Sequence, residues 1–191
     1  MNMRIILASN SPRRRELLDL IKANYEVIPS NEDETLKENL PLEEQSKRLA
    51  YIKAKSVFNK TNGERIVIGA DTLVVKDGKI YGKPKNLNDA KHMLLELNNN
   101  MHQVITSVAV LIEKNGKIEE NVFSDITNVY IGKMTEKEIE EYISKEEVLD
   151  KAGSYAIQSS FSKHVEKIEG NYTTVLGLPI HKVYEILKKY N

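Results

Sequence analysis

Two long strand-like runs rich in β-branched residues, Val104 to Ile112 and Val122 to Ile131, flank an Asn115-Gly116 pair. No other feature constrains the fold of this chain as much. Asn-Gly accepts the left-handed backbone of a tight hairpin turn, so the runs predict two long antiparallel strands. Elsewhere, strand-like and helix-like segments alternate. Arg4 to Ala8 and Tyr25 to Ile28 read as strands. Arg65 to Gly69 reads as a buried strand ending at Ala70-Asp71-Thr72, and Leu73 to Val75 extends again before the turn signal Asp77-Gly78. Helices are predicted after Ser11-Pro12, from Pro41 to about Phe58, from about Asn88 to Leu97, after Thr135 and from Pro179 to about Lys189. Thr135 with Glu138 forms a capping box, and Ser11 offers a side-chain N-cap. The stretch 153–176 reads as strand-rich. Alternation broken by long hairpins predicts an α/β chain with a mixed sheet.

Composition narrows the function classes. A chain of 191 residues is expected to form one domain with a sizeable core. Its 28 basic residues equal its 28 acidic ones, which argues against a general nucleic-acid or membrane-surface partner. Cysteine is absent, so there is no disulfide, thiolate nucleophile or Cys-bound zinc. No apolar run reaches the roughly 18 residues a membrane span requires. The four histidines show no metal-ligand spacing. A cytoplasmic location is expected.

The segment LASNSPRRREL, positions 7–17, breaks a local rule. Arg13, Arg14 and Arg15 fall in the first turn of a helix, at the positive end of its dipole. A cation there costs about 0.3–1 kcal/mol. One reading is a salt-bridged solvated face, Arg13 with Glu16 and Arg15 with Asp19, worth about 0.2–0.5 kcal/mol per pair. The other is an anion site, in which free N–H groups and guanidinium forks converge on phosphate.

Asp71 directly follows a buried run, with Gly69 allowing close backbone approach, at the strand end where α/β folds place ligands. Taken alone, it reads also as a turn-capping residue. Glu32, Asp33 and Glu34 form an acidic cluster that would hold Mg²⁺ on a polyphosphate if it met Asp71. Gly78 to Pro84 has three residues between its glycines and a proline after Lys83, so it is not a P-loop. Lys83 still offers a point charge. Gln158 offers an amide that both donates and accepts.

The order of these segments carries more than any one of them. LASNSPRRREL, Asp33-Glu34-Thr35, RLAYIKA, IGADTLVV, GK-P, HQVITSVAV, DKAGSYAIQ and VLGLP resemble, over about residues 4 to 188, the Maf family of nucleoside triphosphate pyrophosphatases. The resemblance implies one Maf-like domain over 1–191. Its fold would be elongated α/β with a mixed sheet, two lobes around a cleft, like inosine triphosphatase, and often dimeric. It implies an acid-anhydride hydrolase that cleaves a nucleoside triphosphate to the monophosphate and pyrophosphate with a divalent cation, Mg²⁺ or Mn²⁺. By motif, Asp71 matches the general base. Ser9, Arg13, Arg14, Lys53 and Lys83 match phosphate-contacting positions, and Glu34 with Asp71 matches the metal carboxylates. Arg13, Thr72 and Gln158 match the positions that separate substrate subgroups, and their identities resemble the subgroup acting on dTTP and UTP.

Two blocks depart from the family pattern. Leu97-Asn-Asn-Asn100 stands where Leu-Ser-Gly-Arg is usual, and Tyr155-Ala-Ile-Gln-Ser159 where Tyr-Gly-Ile-Gln-Gly is usual. The second bears on base recognition. Rival readings are a pyrophosphatase for modified purine nucleotides, of the 7-methyl-GTP or ITP type, and a nucleotide-binding regulator of septum formation.

Overall fold

The computed structural model describes residues 3–32 and 40–190. Its seven strands form one mixed sheet. They are β1 (Arg4–Leu7), β2 (Tyr25–Val27), β3 (Arg65–Lys76), β4 (Lys79–Tyr81), β5 (Met101–Lys114), β6 (Lys117–Ile131) and β7 (Val165–Glu169). The order is β2-β1-β3-β5-β6-β7, with β4 on β3. β1 runs parallel to both neighbours, whereas β3–β4 and β6–β7 are antiparallel. Both expected turns are present. Asp77 and Gly78 have φ of 51° and 77°, and Asn115 and Gly116 have φ of 52° and 71°.

The chain divides into two compact units. The first comprises Met1–Asp71, Thr106–Asp125 and Gly177–Asn191. It holds the helices α1 (Pro12–Leu20) and α2 (Leu42–Lys60). The apolar face of α2, Ala50, Ala54, Val57 and Phe58, shares a core with Ile6, Val67, Ala109 and Leu111. Arg65 closes the end of that helix. Its Nη2 donates to the Phe58 carbonyl at 2.8 Å, its guanidinium lies 4.0 Å over the Phe58 ring, and Glu113 pairs with it at 2.6 Å. A terminal helix carbonyl is thereby satisfied, and the buried cation is not left alone.

The second unit comprises Thr72–Ile105 and Ile126–Leu176. Its helices are α3 (Leu87–Leu97), α4 (Glu136–Lys145) and the single turn α5 (Tyr172–Val175); α6 (Ile180–Leu187) belongs to the first unit. α3 and α4 bury Leu94, Leu97, Ile139 and Tyr142 with Val104, Val129 and Phe161. The capping box of Thr135 and Glu138 is formed in both directions.

Three expectations change. β3 is continuous through Asp71 and Thr72 rather than ending there, because the ladder holds on both sides of the polar pair. The stretch 153–176 contains one strand, β7, and otherwise turns and short helices. Tyr155 and Ile157 are buried by packing, while the N–H groups of Ala156, Ser159 and Phe161 bond to side chains or within the turn. Ser11 does stand at the N-cap of α1, but its side chain makes no capping bond.

Candidate active site

The first unit assembles its polar residues around β3 and α2. Gly69 is where they meet. A Cβ there would lie 2.4 Å from the Ala50 carbonyl oxygen and 2.6 Å from the Ala54 nitrogen, far inside van der Waals contact. Only glycine lets the helix backbone approach this closely. Side chains alternate along a strand, so Asp71, two residues on, faces the same helix. α2 answers with Lys53 and Ser46, seven residues apart and so on one helical face. Lys53 Nζ donates to Asp71 Oδ1 at 2.9 Å, and Ser46 Oγ donates to Oδ2 at 3.3 Å. Asp71 and Lys53 are 5% and 8% exposed, so this is a buried, hydrogen-bonded ion pair. Removing one partner of such a pair leaves an uncompensated charge, which typically costs 3–5 kcal/mol.

The arginine turn is built beside the same strand. Leu7 pairs with Ile68, and Ala8 N–H donates to the Ile68 carbonyl at 2.8 Å. The loop after β1 therefore runs beside Gly69–Asp71. Buried Ser9 Oγ accepts from Ser11 N–H at 3.2 Å and from Arg14 Nη1 at 2.9 Å. Arg14 Nε donates to the Gly177 carbonyl at 2.9 Å. Gly177 has φ of 104°, which a residue with a side chain rarely adopts, so glycine is what turns this carbonyl toward Arg14. Among the described residues the Arg15 side chain reaches Asn10, at 3.4 Å, and Tyr25 rather than Arg15 bonds to Asp19. Half-buried Arg13 meets no hydrogen-bond or ion-pair partner among the described residues. The salt-bridged face of Arg13–Glu16 and Arg15–Asp19 is not formed.

Thr72, Lys83 and Gln158 belong to the second unit. Thr72 is half-buried on β3, and Lys83 is exposed after β4. The Gly82 carbonyl beside Lys83 accepts from Gly153 N–H at 3.1 Å, tying the GKP and DKAG segments together. Gln158 is exposed at the tip of a turn closed by Ser159 N–H to the Ala156 carbonyl at 3.1 Å. The amide is therefore not buried before a ligand arrives. Underneath, His102 Nε2 and Tyr155 Oη lie 2.7 Å apart, both residues buried. Burial, helped by the Lys76 charge, pushes His102 down to about 4.

Glu34 lies outside the described residues. Among the described residues no three His, Asp or Glu side chains gather as a metal-ligand group. Among the described residues the site supplies one buried carboxylate, Asp71. That hard oxygen donor suits Mg²⁺ or Mn²⁺, which take one or two carboxylates and complete their shell with water and phosphate. Sequence reasoning overlooked Ser46 and the bond at Gly177. The seven-residue spacing from Lys53 was the available signal for Ser46; Gly177 was visible only as part of a motif.

Comparison with known proteins gives a consistent result. The model of the family described as Maf-like protein matches residues 4–190. A dTTP/UTP pyrophosphatase of Lachnoclostridium phytofermentans is 43% identical, over 97% of this chain and 94% of that one. Another, from Thermosipho africanus, is 47% identical over 97% and 92%. A HAM1 protein of Coxiella burnetii has a similar fold, with a TM-score of 0.52, 11% identity and coverage of 98% and 99%. The family match runs unbroken from the arginine turn through β3 to the Gly177 corner, and on that ground the chain belongs to the Maf family.

Proposed function

We propose that this chain is a cytoplasmic nucleoside triphosphate pyrophosphatase that hydrolyses dTTP and UTP to the monophosphate and pyrophosphate. The observation that carries the reading is Asp71, buried on β3 with both oxygens held by α2. Support also comes from the relatives, named dTTP/UTP pyrophosphatases at 43% and 47% identity.

Asp71 acts as the general base, orienting a water and taking its proton as the water attacks phosphorus. Little covalent chemistry is asked of the protein beyond positioning and charge. Lys53 has three donors, so one ammonium serves both Asp71 and a phosphate oxygen. Arg13, with its guanidinium uncommitted among the described residues, binds phosphate directly. Arg14 and Ser9 brace each other for the same task, and Lys83 adds a point charge. A divalent cation would be held by Asp71 with Glu34, supplying charge neutralisation on the phosphate oxygens.

Thr72 and Gln158, with Arg13, select the base. Uracil and thymine present carbonyl acceptors beside an N3–H donor, and one Gln amide matches both. A purine edge also offers a donor beside an acceptor, so the amide sets the orientation of the base while the space left for the ring separates purines from pyrimidines.

Product analysis across UTP, dTTP, ATP, GTP, ITP and 7-methyl-GTP with Mg²⁺ tests the reading. UMP or dTMP with pyrophosphate should form, at the highest kcat/KM of the panel. UDP with inorganic phosphate as primary products would overturn the reaction. A purine nucleotide in first place would overturn the substrate.

A further inference from the structure

Gln158 sits on a turn whose two ends are held by one hydroxyl from another element. Tyr142, on α4, accepts a hydrogen bond from Ala156 N–H at 3.1 Å and lies 3.4 Å from Ser159 Oγ. Ser159 Oγ donates its single proton to the Ala156 carbonyl at 2.9 Å. It also accepts from Phe161 N–H at 3.2 Å. A hydroxyl carries one proton, so in the Tyr142–Ser159 contact Tyr142 must be the donor. One phenol therefore accepts from the first residue of the turn and donates to the last. Its position is fixed in turn. Tyr142 is 6% exposed, and its ring packs on Phe161 with centroids 5.0 Å apart. Burial raises its hydroxyl pKa, so the phenol is neutral and able to donate at neutral pH.

We propose that Tyr142, acting through Ala156 and Ser159, is a positioning residue for base selection, holding the turn that presents Gln158. It touches neither substrate nor metal. The inference rests on the reading of Gln158 as a base-selecting residue. Ordering a turn before the ligand arrives removes an entropy cost from binding, so the loss should appear in KM and base preference rather than in the chemical step.

The test is a double-mutant cycle read in kcat, KM and the UTP-over-ATP preference. Tyr142→Phe keeps the ring and removes the hydroxyl. It should raise KM for UTP about tenfold, lower the preference by a similar factor and leave kcat within about threefold, the scale of one or two hydrogen bonds. Ser159→Ala should act in the same direction by about threefold, and it carries the test if Tyr142→Phe fails to fold. In a Gln158→Ala background Tyr142→Phe should add less than about twofold, since coupled residues are not additive. Wild-type KM and preference in Tyr142→Phe and Ser159→Ala, with Gln158→Ala impaired, would overturn the proposal alone. So would a fall in kcat that persists undiminished in the Gln158→Ala background. An unimpaired Gln158→Ala would instead remove the base-reading assignment beneath it, and wild-type protein inert towards UTP would remove the proposed function itself.

Discussion

The two units of this chain hold their candidate site residues in different ways. In the first, the polar side chains sit on or beside regular elements and are buried against one another. Lys53 and Ser46 come from α2, Asp71 from β3, and Ser9 from the loop that β1 feeds into α1. In the second, Lys83 after β4 and Gln158 at a turn tip are exposed, and Thr72 is half-buried on β3. The contrast fits the tasks proposed for them. A base and its charge partners must be held to a fraction of an ångström in a dry setting, which suits a helix packed on a strand. A group that reads an arriving base must begin accessible, and its precision has to be supplied from beneath the turn.

The largest effect that would sharpen this contrast is at Asp71. Asp71→Asn keeps the shape and removes the proposed base. kcat should fall at least about 10²-fold, the lower end of general-base effects. The melting temperature should also drop, because Lys53 would remain buried without its carboxylate. Initial rates and thermal melts on one sample check both. An active variant would place the base elsewhere.

A second test addresses the buried polar pair in the other unit. His102 is pushed down to about 4 in the fold, against about 6.5 unfolded. Between those values the unfolded chain binds a proton that the native chain does not. Stability is therefore complete above pH 6.5 and is lost as pH falls through this window. The cost should be about 2 kcal/mol between pH 7 and pH 5. Urea melts at the two pH values should show it, and His102→Gln should remove most of the difference. Equal slopes in both proteins would mean the histidine is not buried neutral.

The smallest expected effect separates neighbouring arginines. Arg13→Ala should lower activity by about tenfold, roughly one lost charged hydrogen bond. The melting temperature should stay level or rise slightly as a cation leaves the helix start. Arg14→Ala should lower activity and stability together, since it gives up its bonds to Ser9 and Gly177. The reverse pattern would mean that Arg13, not Arg14, is the structural member of the turn.

Much of this was legible from residues alone, and for particular reasons. Asn115-Gly116, Asp77-Gly78 and the Thr135–Glu138 box encode backbone geometry locally, so strands and helices appeared within a few residues of their expected ends. Asp71 was recognised as a candidate but misplaced at a strand end. A polar pair inside an apolar run resembles a boundary, and only the partner helix shows why it is tolerated. The 153–176 stretch misled because Tyr155 and Ile157 are buried with strand-like spacing. The Ala156 N–H that a sheet would claim is taken by the Tyr142 hydroxyl, which arrives from another element and leaves no local signal in the sequence around it.

Gly69 gives the first unit a property that no functional group of its own expresses. Its missing methyl sets the spacing between the α2 backbone and β3, and so between an ammonium and a carboxylate carried by those two elements. A side chain at position 69 would have to shift Ser46 and Lys53 together, by something on the order of an ångström, a displacement that can cost roughly 10²-fold in rate without touching a reacting atom. Mutational tolerance at this site is thus governed by a length, and the residue that measures it is the one with nothing to contribute to the chemistry.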